Sequence, residues 1–183
     1  MVSGRDEKIE LEHEAARIFM RLYERRFGIK MRHIWHNEPR RPDVSCYYDH
    51  QKLDLEIAHL YGSEAEAMHI LGRELSPHTH RELLQLMRMP AEARLVAALN
   101  SLLASKAEKS YDSERVWLVI RNANPLWTKE EMLAHFPKLH LPKTHPFEQV
   151  WVIGDMQGES GLLALYPPLH LPKQQTKPYR KDF

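Results

Sequence analysis

A single cysteine, Cys46, occurs in 183 residues, so no intrachain disulfide can form and the chain fits a reducing compartment. No apolar run approaches the ~20 residues of a membrane helix, and the amino terminus Met-Val-Ser-Gly-Arg-Asp-Glu-Lys lacks the apolar stretch of a signal peptide. The expectation is a cytoplasmic protein with no membrane partner. Glycine is sparse, at seven residues, and forms neither a phosphate-cradling loop nor the Gly-X-Ser-X-Gly elbow of a serine hydrolase. An excess of one charge is also missing: 26 Lys and Arg stand against 25 Asp and Glu. That balance decides nothing about nucleic acid, because a local basic groove can coexist with a neutral total.

What is present is an ordinary globular composition, and its length suits one domain. Apolar residues Leu11, Ala15, Ile18, Phe19, Leu22 and Tyr23 recur at helical spacing from Lys8 to Phe27, and Gly28 stops the run. Met31 to Trp35, Val44 to Tyr48 and Leu53 to Leu60 read as strands, the last two joined through Asp49-His50-Gln51-Lys52. Capping boxes at Ser63/Glu66 and Thr79/Glu82 predict two short helices before Arg88. A longer helix follows from Pro90 to about Lys109, with Leu95, Leu99 and Leu102 as its buried stripe. Val116 to Ile120 has the continuous apolar pattern of a strand covered on both faces. Thr128 and Glu131 cap one more helix, and Val150 to Ile153 with Leu162 to Tyr166 form a C-terminal hairpin. The expected fold is therefore α/β: residues 1–166 form one domain with a mixed central sheet, helices on both faces and inserted helices. Residues 167–183 form a Pro- and Lys-rich tail.

Alternation on the third strand sets Leu53, Leu55, Ile57 and His59 on one face and Lys52, Asp54, Glu56 and Ala58 on the other, an acidic face for a strand expected to be buried. Asp43 begins the preceding strand directly after Pro42, and hairpin pairing would bring it beside Glu56. Paired buried carboxylates repel and lose hydration, so they persist where a cation or proton compensates. Oxygen ligands with room for water suit Mg²⁺ or Mn²⁺.

Pro42-Asp43, twelve intervening residues and Glu56-Ile57-Ala58 resemble the Pro-Asp … Glu-X-Lys motif of the PD-(D/E)XK nuclease-like superfamily. The order helix, three strands, helix, strand from Glu7 to Ile120 is similar to that superfamily's restriction endonuclease-like core. The resemblance implies metal-dependent cleavage of a nucleic-acid phosphodiester, with DNA ahead of RNA as partner and Asp43 and Glu56 as metal ligands. It also implies a glutamate on the first helix that reaches the metal: Glu12 falls within the arc of Ala15, Ala16, Phe19 and Tyr23, and Glu14 sits at its border.

Ala58 departs from the pattern, standing where the superfamily places its lysine. Asp54 could take the first carboxylate position with Glu56 in the lysine's place, Lys52 could supply the charge from the same strand face, or Lys106 and Lys109 could supply it from the long helix. The plainer use of those two lysines is to lay their stems along the core edge near the helix's negative end. The catalytic set is thus Asp43, Glu56, Lys106 and Glu12; the alternative is an inactive nuclease-like module that binds protein or nucleic acid. Arg40, Arg41, Lys173, Lys177, Arg180 and Lys181 could meet phosphates, and Trp127 and Tyr179 could stack on bases. His33, His36, His78 and His80 lack the company of a zinc motif and are expected at the surface, while Cys46 is expected in the core.

Overall fold

A computed structural model describes residues 3–38 and 41–168. The elements are α1 (Gly4–Phe27), β1 (Met31–His36), β2 (Val44–Tyr48), β3 (Gln51–Leu60), α2 (Glu64–Ile70), α3 (Pro77–Leu86), α4 (Ala91–Ala107), β4 (Val116–Asn122), α5 (Lys129–His135), β5 (Gln149–Ile153) and β6 (Leu162–Tyr166). The six strands form one open mixed sheet in the order β1-β2-β3-β4-β5-β6, parallel at β3/β4 and β4/β5 and antiparallel elsewhere.

Several boundaries differ from the sequence expectation, each for a local reason. The first helix begins at Gly4 because Ser3 and Asp6 make a capping box ahead of Lys8. The β2/β3 connection shrinks to Asp49 and His50, since Asp49 takes a positive φ of 57°, which Asp tolerates better than most residues. Ser76, not Thr79, caps α3: Pro77 fits the first helical turn, and the Ser76 side chain accepts from the Thr79 N–H. Leu103 replaces Leu102 in the fully buried stripe of α4.

Strand alternation divides the core in two. Leu53, Leu55 and Ile57 of β3, with Trp117 and Val119 of β4 and Trp151 of β5, pack under Phe19 and Tyr23 of α1. Ala58, Leu60, Leu118, Ile120 and Val152 pack under Leu95, Leu99 and Leu103 of α4 and Met132 of α5. β4 is buried at all seven positions: at residues 116–120 as the unbroken apolar run requires, and also at Arg121 and Asn122 beyond it. Cys46 is fully buried on the α1 side, where burial pushes its thiol up to about 12 and leaves it inert as a nucleophile. Among the described residues no helix is long and apolar enough to cross a membrane. Arg40, Lys173, Lys177, Tyr179, Arg180, Lys181 and the tail from residue 169 lie outside the described residues.

Candidate active site

The junction of β1 and β2 is locked by one side chain. Asn37 donates to the Pro42 carbonyl at 2.9 Å and to Ser45 Oγ at 2.7 Å, while its backbone N–H donates to the Asp43 carbonyl at 3.1 Å. β2 pairs with β3 only as far as Val44 opposite Leu55. Continuing that register by one residue sets Asp43 level with Glu56. Beyond this point, among the described residues, β3 has a neighbour on its β4 side only. Asp43 Oδ2 accepts from the Ile57 N–H at 2.9 Å, filling the place a strand partner's carbonyl would take.

The Asp43 and Glu56 carboxyl groups are close enough that each shifts the other's ionisation in opposite directions, the arrangement that favours one proton on the pair. Burial, then the adjacent Glu56 charge, with a smaller push from Glu12, raises Asp43 to about 8. Burial by itself would raise Glu56 too. The Asp43 hydrogen bond, Lys106, the Tyr111 hydroxyl and Lys109 together outweigh it and hold Glu56 below the usual carboxylate range. Lys106 Nζ lies 3.4 Å from Glu56 Oε2, the more exposed Lys109 Nζ lies 3.8 Å away, and Tyr111 donates its hydroxyl to the same oxygen. Burial lowers the Lys106 pKa, with Glu56 opposing and Lys109 reinforcing the shift.

Glu12 is buried on α1 as its arc indicates, with Oε1 3.5 Å from Lys8 Nζ and Oε2 3.8 Å from His36 Nδ1. Glu14 points elsewhere, to Arg121 at 3.1 Å. A cleft of about 430 Å³ runs along the free edge of β3 and brings Glu12, Ala58 and Lys106 to one wall system. The other two replacements for the motif lysine are not assembled. Asp54 is held by Ser45 and Ser113, and Lys52 lies 3.7 Å from Asp54 rather than beside Glu56. His59 faces the α1 side, where burial, then Arg121, pushes it down to about 4.

Trp127 is not available to stack on bases: it is buried, with its indole N–H on the Ala91 carbonyl at 3.0 Å. Arg41 is exposed and lies 3.9 Å from Asp112. His36 and Arg121 carry roles that no spacing in the sequence announces; Tyr111 has a weak signal, its place two residues after Lys109 in the segment that follows α4.

Among the described residues no three His, Cys, Asp or Glu side chains are grouped closely enough to hold a metal ion between them. Glu12 therefore stands beside the acid pair without completing a trio. The donor chemistry of Asp43 and Glu56 nonetheless suits a hard divalent cation, which often takes one or two carboxylates and keeps several waters.

Comparison with protein-family models, with curated proteins and with solved structures finds no match to this chain. Its class rests on architecture and side chains: an α/β protein with a mixed open sheet and a buried, mutually perturbed carboxylate pair at a strand edge that has no partner among the described residues.

The shared proton has a measurable consequence. The unfolded chain releases it near 3.8, the folded protein near 8, so the stabilisation it provides is complete below about pH 4 and is lost as pH rises through 8. Asp43→Asn cannot ionise and is expected to gain melting temperature relative to wild type between pH 5 and 9 in chelator-containing buffer, most at the alkaline end. Superimposable pH profiles for the two proteins would show that no proton is shared.

Proposed function

We propose that this protein is a divalent-metal-dependent hydrolase of nucleic-acid phosphodiesters with a restriction endonuclease-like core. The observation that carries the reading is the meeting of Asp43 and Glu56, distant in the chain, at the unpaired edge of β3 with the Lys106 ammonium beside them. The succession α1, β1, β2, β3, α4, β4 with adjacent pairing of the four strands supports it.

In this reading Asp43 and Glu56 hold Mg²⁺ or Mn²⁺, Glu12 tunes the charge around them, and the ion, when bound, supplies a more acidic water and charge neutralisation at the phosphate. Lys106 sets a positive charge where Ala58 leaves none on the strand. Tyr111 and the Ile57 N–H orient the two carboxylates, and Asp43 gives up the shared proton before both oxygens can face a cation. DNA remains ahead of RNA as the substrate.

The experiment is cleavage of plasmid, single-stranded DNA and RNA with Mg²⁺ or Mn²⁺. Asp43→Ala and Glu56→Ala are each expected to abolish it, and wild-type rates in either would reveal a contaminating nuclease. One observation favours a retired, binding-only site: Lys106, Lys109 and Tyr111 already neutralise Glu56 without any ion. Calorimetric titration separates the readings, because a retired pair shows no carboxylate-dependent metal uptake.

A further inference from the structure

The cleft beside the acid pair holds more than hydrolysis uses. Its walls include Leu11, Ile57, Leu71 and Leu102, and Leu71 remains 37% exposed. Apolar surface in a concave place next to charged groups is the usual make-up of a ligand pocket, and about 430 Å³ lies within the range of small-molecule sites. On one side the rings of His59 and Tyr61 lie nearly parallel, with centroids 6.0 Å apart and 19° between their planes. Arg121, fully buried, steadies His59 from behind: it donates to the Met156 carbonyl at 2.8 and 2.6 Å and to Glu14 at 3.1 Å, and lies 3.5 Å from His59 Nε2. The depressed pKa of His59 keeps that ring uncharged at neutral pH. Lys8, Arg73 and Lys106 also line the cleft, each paired with an acid: Lys8 with Glu12 at 3.5 Å, Arg73 with Glu7, and Lys106 with Glu56 at 3.4 Å.

Resting on the hydrolase reading, we infer that this cleft takes one unpaired nucleobase of the strand whose phosphate meets Asp43 and Glu56, so that the substrate is single-stranded nucleic acid or a frayed end. A nucleobase offers flat apolar faces to leucine and ring surfaces, and a neighbouring phosphate would exchange with Glu7 and Glu12 for the cations they pair. A base inside an intact duplex is covered on both faces by its neighbours and must leave the stack to enter.

The test is anisotropy titration, without metal, of labelled single-stranded, duplex and abasic oligonucleotides. The single strand is expected to bind about tenfold or more tighter than the duplex. Tyr61→Ala is expected to remove about tenfold of that affinity, Tyr61→Phe to keep it, and neither to alter binding of the abasic strand. Equal binding of duplex and single strand, or a Tyr61→Ala loss that persists on the abasic strand, overturns the inference. Because binding is read apart from cleavage, a protein that cuts but shows no such preference loses only the base pocket. One that shows the preference but cuts nothing under any metal loses the hydrolase reading, and the strand would then be bound rather than cleaved.

Discussion

Lys106→Ala is expected to slow strand cleavage by roughly 10²- to 10³-fold, the usual cost of removing one group that stabilises charge in a transition state. Metal affinity in this variant is expected to stay constant or rise, because the ammonium 3.4 Å from Glu56 competes with a cation for that oxygen. Lys109→Ala makes the comparison. That side chain is half exposed and 3.8 Å away, and an exposed pair of this kind is worth at most ~1 kcal/mol, or about fivefold. The decisive variant is Ala58→Lys in the Lys106→Ala background. Ala58 lies on the Glu56 face of β3 and lines the same cleft as Lys106, so a lysine there reaches the vacated space from the strand. Partial recovery would show that the charge has migrated from strand to helix. Wild-type cleavage by Lys106→Ala alone would show that the lysine only neutralises Glu56.

The elements that formed where the sequence placed them are those with strong local signals: the alternating β3, the unbroken apolar β4, and the capping boxes at Ser63 and Thr128. The juxtaposition of Asp43 and Glu56 follows from a short hairpin that fixes register, because register decides which residues face each other. The burial of Glu12 follows from helical angle alone. What stayed hidden depends on contacts between distant segments. Nothing near Asp54 distinguishes it from Glu56 until Ser45 and Ser113 claim it. Trp127 reads as a surface aromatic until the start of α4 closes over it. Arg121, which directly follows the apolar run of residues 116–120 and is buried with it, is tolerable there because the β5/β6 loop folds back and offers the Met156 carbonyl.

The same distant logic makes Glu66 the strongest stability prediction. Its carboxylate closes the capping box by accepting from the Ser63 N–H at 2.9 Å, bonds the buried Arg94 guanidinium of α4, and lies 3.3 Å from Asn124 Nδ2 beyond β4. Asn124 in turn donates to the Tyr61 carbonyl at 2.7 Å, and Arg94 lies over the Trp127 ring. One acid thus ties α2, α4 and the end of β3 together. Glu66→Ala leaves the Arg94 charge buried without its partner, and such single losses cost about 3–5 kcal/mol. In a chain of this size that corresponds to a fall in melting temperature on the order of 10 °C. Arg94→Met in the same background removes the stranded charge, so the double variant is expected to recover much of the loss in urea unfolding. Additive losses in the double variant would mean that each residue acts through packing rather than through their pairing. Because Tyr61 hangs from this network through Asn124, Glu66→Ala is also expected to loosen the wall of the cleft at temperatures below its unfolding.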